Sequence, residues 1–306
     1  MRFLILGSTG MVGHMIMHYL RDRGHYVVGF SRSGTDGENS IVGDAFDMEC
    51  ISNAVSDDYD IVINSIGILN NQAEVHKEKA TYLNSFLPHF LAYLTEETHT
   101  RVFHMSTDCV FAGNTGPYSD NSWPDGKTFY DRSKALGELC DRKNLTFRCS
   151  IIGPDLDQHG IGLLNWFMLQ HGEIKGYKNA IWSGLTTLEL AKAMETQAHR
   201  DTVGLINMVP AKPISKYDLL VLLKNYFHKD DLEIISTDRP MLDKTLIRSI
   251  GEDLYIPLPY ELQVKELEIW MRAHADMYPH YRLSDELCQT QTLSYLSSSK
   301  FNPKLL

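Results

Sequence analysis

Tyr130 and Lys134 stand four residues apart, a spacing that places them one turn apart on one face of a helix. A phenol is a poor acid near neutrality, with a reference pKa of about 10, and an ammonium held beside it favours the phenolate and draws that pKa downward. Upstream, Ser106-Thr107-Asp108 supplies two hydroxyls and a carboxylate. The Thr107 hydroxyl could share the oxygen of a bound carbonyl with Tyr130. Such a group can protonate a ketone while a nicotinamide reduces its carbon.

These residues need a scaffold, and the chain alternates apolar runs with helical periods. Residues 2–6 form a short apolar run that predicts a buried strand. Gly7-Ser8-Thr9-Gly10-Met11-Val12-Gly13 follows at once, then a helical period to Arg23 and a second strand over 25–30. Strand, glycine turn, helix and strand within about thirty residues make the context of a dinucleotide-binding turn. Gly7 permits the tight turn, Gly10 lets backbone approach a pyrophosphate, and Gly13 lets the helix close on the strand. The pyrophosphate then sits on the helix N-terminus, past Met11 and Val12.

Ser31-Arg32-Ser33 follows the second strand, where an acidic residue would hold the ribose of NAD. An arginine between hydroxyls suits the 2′-phosphate of NADP, so NADPH is the expected cofactor, with NADH as the alternative. Asp44, followed by Ala45, has two readings: an acceptor for the adenine amino group, or a cap for a helix over 48–55. Ser65 and Gly67 follow a strand over 60–64, at the end where open α/β sheets bind ligands. Asn84, within a mostly helical stretch over 71–95 interrupted near Pro88, reads as a core-facing amide that satisfies backbone groups near the site.

A strand over 101–105 places Thr107 at a strand terminus. Residues 112–128, rich in Gly and Pro, read as a long loop over the site, and a helix runs from Tyr130 through Cys140. Another strand covers 145–149. The expected fold is therefore α/β, a doubly wound parallel sheet of Rossmann type with a smaller C-terminal α/β substrate domain. Residues 1–150, with a returning segment near 180–210, form the dinucleotide-binding domain. Residues 151–179 and 211–275 form the substrate domain, and 276–306 a peripheral tail.

Composition narrows the function classes. The chain has 306 residues, 43% hydrophobic and 22% charged, with a net charge of −10 and no run of like charges. That speaks against a nucleic-acid or anionic-membrane surface. The five cysteines show no C-x-x-C and read as reduced thiols of a cytoplasmic protein. The N-terminus enters a strand pattern with no signal-peptide features, no apolar run reaches membrane-spanning length, and no metal-ligand spacing appears.

Gly7-x-Thr9-Gly10-x-Val12-Gly13, Ser106-Thr107-Asp108-Cys109-Val110-Phe111-x-Gly113, Pro117-Tyr118, Tyr130-x-x-Ser133-Lys134-x-x-Gly137-Glu138 and Arg239-Pro240 together resemble the extended short-chain dehydrogenase/reductase family. The resemblance is strongest to the dTDP-4-dehydrorhamnose reductase-like branch. It implies NAD(P)H-dependent reduction of the C4 ketone of a nucleotide-linked 6-deoxysugar. It makes Tyr130 the proton donor, Lys134 the group that tunes it and holds the nicotinamide ribose, Thr107 a helper at the substrate oxygen, and Asp108 a neighbour of the sugar. Cys109 departs from the tyrosine usual there, and Ile151-Ile152 from the usual tryptophan, so a UDP-linked N-acetylated sugar is as well matched as a dTDP sugar. Two alternatives share the fold: an epimerase or dehydratase holding NAD, and a regulatory subunit like the beta subunit of methionine adenosyltransferase. A homodimer is compatible with the resemblance. Arg239, Lys244 and Arg248 are candidates for the diphosphate, with solvation as the competing reading.

Overall fold

Phe3 and Ile5 point to one face of the first strand and Leu4 and Leu6 to the other, and all four are fully buried. A strand apolar on both faces belongs inside a sheet covered by helices on both sides. The computed structural model describes residues 1–34, 39–248, 254–281 and 283. The first half runs β1 (Arg2–Leu6), α1 (Met11–Asp22), β2 (Tyr26–Ser31), β3 (Ser40–Val42), α2 (Met48–Val55), β4 (Ile61–Asn64), α3 (Asn70–Val75), α4 (Lys77–Ala80), α5 (Leu87–Leu94), β5 (Arg101–Ser106), α6 (Phe129–Leu136) and β6 (Leu145–Arg148). The second half runs β7 (Ile151–Ile152), α7 (Leu163–Met168), β8 (Gly172–Tyr177), β9 (Ala180–Trp182), β10 (Leu185–Thr186), α8 (Thr187–Ala198), β11 (Gly204–Asn207), β12 (Ile214–Ser215), α9 (Lys216–Tyr226), β13 (Leu232–Thr237), β14 (Leu242–Asp243) and α10 (Tyr260–Ala273).

The main sheet has the order β11-β6-β5-β4-β1-β2-β3, with every neighbouring pair parallel. On one face Ile16, Leu20, Leu190 and Met194 of α1 and α8 pack on Phe3, Ile5, Phe103 and Phe147. On the other, Ile51, Leu87 and Leu91 of α2 and α5 pack on Leu4, Leu6, Val62 and Val102. This is a doubly wound Rossmann-type sheet, as the alternating pattern predicts. The strand order reverses between β1 and β4, which opens a crevice at their C-terminal ends.

A second core gathers Leu164, Phe167, Trp182, Leu219, Leu223, Val264 and Trp270 from α7, β9, α9 and α10. Short sheets surround it: β7 with β10, β8 with β13, and β9 between β12 and β14. Ala180–Trp182 thus pairs away from the main sheet, while α8 and β11 return to it. Trp182 decides this, being buried with its ring 5.6 Å from that of Tyr260.

Two expectations need correction. The chain after residue 276 does not begin as a peripheral tail, because Tyr278 and Tyr281 are buried in the second core, where two large rings remove much apolar area from water. Residues 284–306 lie outside the described residues. Residues 112–128 do not line the site. Tyr118 stacks on Phe111 at 4.1 Å and donates its backbone N–H to Thr245 O at 2.8 Å, which folds the loop onto the second lobe. Among the described residues, no helix is long and apolar enough to cross a membrane.

Candidate active site

The turn after β1 is shaped by close backbone contact. Gly7 has φ +85°, and a Cβ on Gly13 would sit 2.1 Å from Gly7 O, so α1 can settle on the turn only with glycine at both positions. The N–H groups of Gly7 and Ser8 donate to Phe30 O at 2.9 and 3.1 Å, which ties the turn to β2. Helix α1 starts at Met11 behind Gly10, with no side-chain cap and no acidic residue in its first turn. Its positive end therefore meets the crevice uncompensated, a seat for anionic oxygens. The Ser31 hydroxyl nearby is buried without a hydrogen-bond partner among the described residues.

Two adjoining cavities fill the crevice. The first, about 580 Å³, is lined by Gly7, Thr9, Gly10, Ser31, Arg32, Asp44, Ala45, Ser65 and Gly67. The second, about 340 Å³, is lined by Gly10, Met11, Val12, Thr107, Asp108, Tyr130 and Lys134. They share Gly10, Ser65, Ile66, Gly67 and Leu69 and so form one cleft. The residues picked from the sequence for the dinucleotide and for proton transfer all lie on its wall. Sequence reasoning missed Phe46, His76, Lys79 and Ile161 in the first cavity and Cys149 in the second, while Ile151, singled out from the sequence, does line the second. Phe46, two residues past Asp44, was the one with a local signal; Ile161 arrives from the far side of the cleft. Asp44 does not cap α2: its carboxylate accepts from Phe46 N at 3.0 Å, and Asp47 takes the cap, accepting from Glu49 N and Cys50 N.

Helix α6 carries Tyr130 and Lys134. Thr128 and Asp131 form a reciprocal capping box that starts the helix one residue before Tyr130. Asn84 braces the helix from behind. Its side chain accepts from Ile68 N at 2.8 Å and donates to Ile68 O at 2.9 Å and Ser133 Oγ at 3.0 Å. That is the core amide role its sequence context predicts. The expected break near Pro88 is a π-helical stretch, Thr81–Phe86, just before it. Pro88 has no N–H to offer the Asn84 carbonyl, and Gly137 lies against that oxygen so closely that a Cβ would approach to 1.9 Å. The glycine after Tyr130-x-x-Ser133-Lys134 thus allows α6 to dock.

The electrostatics differ from the expectation in one respect. Tyr130 and Lys134 are both buried on the cavity wall, but the Lys134 ammonium donates to Met105 O. Burial pushes the Tyr130 phenol above its ordinary value, the Cys109 thiol opposes its ionisation further, and only the Thr107 hydroxyl pulls it down. Burial thus keeps the Tyr130 phenol protonated, and the hydrogen bond of the lysine runs to the strand. Burial also pulls Lys134 down to about 8, against the pull of Glu138.

The wall beyond Thr107 carries Asp108 and Cys109. Asp108 is buried and raised by desolvation, with Lys244 and Lys216 pulling it back. Lys216, which sequence reasoning missed, lies 4.8 Å from the centre of the Trp182 ring and is drawn down to about 8 by burial. Cys109 is pushed up to about 11 by burial and stays a thiol at neutral pH. Of the basic candidates, Lys244 faces this wall, Arg248 donates to Tyr255 O at 2.7 Å, and Arg239 lines a separate surface depression with Lys175 and Tyr177.

A parallel sheet with a glycine turn at its switch point, and a buried Tyr-Lys pair on the same cleft, define a Rossmann-type α/β protein. Residues 1–152 match the family model described as RmlD substrate binding domain. The chain is 32% identical over 139 residues to the Haloferax volcanii protein named "Probable low-salt glycan biosynthesis reductase Agl14", covering 44% of this chain and 46% of that one. It is 31% identical over 162 residues to the dTDP-4-dehydrorhamnose reductase of Escherichia coli K12, covering 49% and 51%. The chain thus spans about half the length of these relatives. The crystal structure of the Bacillus anthracis dTDP-4-dehydrorhamnose reductase in complex with NADP shares the fold, with a TM-score of 0.73 at 17% identity over 88% of this chain and 99% of that one. The N-terminal half of the chain, residues 1–152, belongs to the extended short-chain dehydrogenase/reductases, on their dTDP-4-dehydrorhamnose reductase-like branch.

Proposed function

We propose that this protein is an NADPH-dependent reductase of the 4-keto group of a nucleotide-linked 6-deoxyhexulose, acting in carbohydrate biosynthesis in the cytoplasm. The observation that carries the reading is a single cleft whose one end is a phosphate seat and whose other end is walled by Thr107, Asp108, Tyr130 and Lys134. A dinucleotide fits this wall: the bare α1 N-terminus and Gly10 suit its pyrophosphate, and Ser31 and Arg32 suit a 2′-phosphate. NADPH, when bound, supplies the two electrons and the hydrogen that reduce the carbonyl carbon. Tyr130 gives its hydroxyl proton to the carbonyl oxygen, and Thr107 orients that oxygen with a second hydrogen bond. Lys134, charged, stabilises the phenolate left behind, and would also be placed to hold the ribose of the cofactor. A phenol pKa raised by burial suits a donor that must hold its proton until the carbonyl takes it.

The test is NADPH oxidation with a panel of dTDP- and UDP-linked 4-keto-6-deoxyhexoses, read by absorbance and product analysis. Stoichiometric NADPH loss with formation of the 4-hydroxy sugar is expected. Sugar conversion without net cofactor consumption would overturn the reading in favour of an epimerase or dehydratase.

A further inference from the structure

Behind the cleft, Glu138 and Arg148 form an ion pair at 2.6 Å with side chains only 5% and 2% exposed. The contact is a fork: Arg148 Nε donates to Glu138 Oε1 at 2.9 Å and Nη2 to Oε2 at 2.6 Å. Ser106 Oγ adds a third donor to Oε1 at 2.6 Å. Arg148 is itself held, with Nη1 3.3 Å from Asp120 O and its guanidinium 4.9 Å from the centre of the Phe111 ring. A buried pair like this returns little net stability, since desolvation offsets most of its attraction, and apolar residues of equal volume would do as well. Its location, four residues past Lys134 and bonded to Ser106, next to the Met105 carbonyl that Lys134 holds, calls for another reason.

We propose that Glu138, clamped by Arg148, is a positioning residue that steadies the Lys134 ammonium from behind and ties down the Ser106–Thr107 end of β5. The inference rests on the function proposed above for its catalytic consequence, but not for its electrostatic one. Lys134 needs such a partner because burial works against its charge, and its only hydrogen bond among the described residues goes to the neutral Met105 carbonyl. Glu138 is the largest influence that restores the charge, ahead of Cys149 at the end of β6. The remaining groups facing it cannot substitute. His104 on β5 is fully buried and held neutral, and Tyr130 on the same helix stays protonated. Asp131 is engaged in the capping box at the far end of α6.

The test is the Lys134 titration in the ligand-free protein, read by NMR of ¹³Cε-labelled lysine with Lys134→Met for assignment. Glu138→Gln keeps the shape and removes the charge, and should lower the Lys134 midpoint by about one pH unit. Ser106→Ala should leave that midpoint in place while slowing turnover, a split that a purely structural role would not produce. The alkaline limb of NADPH-dependent turnover should move with the midpoint in Glu138→Gln and not in Ser106→Ala. An unchanged midpoint in Glu138→Gln overturns the proposal. If that variant does not fold, the uncharged pair Glu138→Gln/Arg148→Met replaces it under the same criterion. A shifted midpoint in a protein that reduces no keto-sugar would leave the electrostatic role standing and remove the reductase assignment instead.

Discussion

Tyr278 meets His14 across 264 residues of sequence, its phenol oxygen 2.8 Å from Nε2. The other ring nitrogen, Nδ1, is 2.9 Å from Gly10 O, which can only accept. Nδ1 therefore carries the proton and Nε2 accepts from the Tyr278 hydroxyl. The segment after α10 is thereby bonded to the helix turn that forms the phosphate seat.

This contact makes stability acid-sensitive. Burial draws His14 from the usual 6.5 to about 4. Between those values the unfolded chain holds a proton that the native ring refuses, so stability falls as pH drops from 6.5 towards 4. The loss attributable to this ring is about 3 kcal/mol. Urea unfolding at a series of pH values should show a shallower acid loss in His14→Gln; identical slopes would discount the coupling.

Tyr130→Phe should reduce turnover by roughly a hundred- to ten-thousand-fold, the range for loss of a positioned acid. NADPH affinity should change little, because the ring remains. Steady-state kinetics with a fluorescence binding curve separates the two, and a Phe variant of wild-type rate would remove Tyr130 from the mechanism.

Turnover should decline as pH rises above about 8, where buried Lys134 gives up its proton. Lys134→Ala should lose both rate and cofactor affinity at every pH and show no such limb. A wild-type profile flat to pH 10 would contradict this.

Arg32→Ala should weaken NADPH binding by about ten- to a hundred-fold, the usual worth of a charge-assisted bond, and leave NADH nearly untouched. Equal losses for both cofactors would place the 2′-phosphate elsewhere, with Lys79 and His76 on the same cavity wall as the next candidates.

Gly137→Ala should destabilise by about 1–3 kcal/mol, because its Cβ would meet the Asn84 carbonyl at 1.9 Å and push α6 off its brace. Thermal unfolding reads the loss, and an unshifted melting point would mean that the π-helical stretch yields.

The local grammar of the chain reached far. Apolar runs, a glycine turn and helical periods determined the doubly wound sheet. Strand ends locate Thr107, Ser65 and Gly67 on the cleft, because residues at the C-terminal ends of parallel strands must converge. Spacing also placed Tyr130 and Lys134 on one face of α6. What spacing could not decide was where a flexible four-carbon side chain sends its charge. Only the packed structure puts the Lys134 ammonium on Met105 O, raises Tyr130 by burial, and sets Glu138, Ser106 and Arg148 behind both. Backbone periodicity is written in neighbouring residues, whereas desolvation and charge pairing depend on which distant segments close over a group, as Tyr278 does on His14.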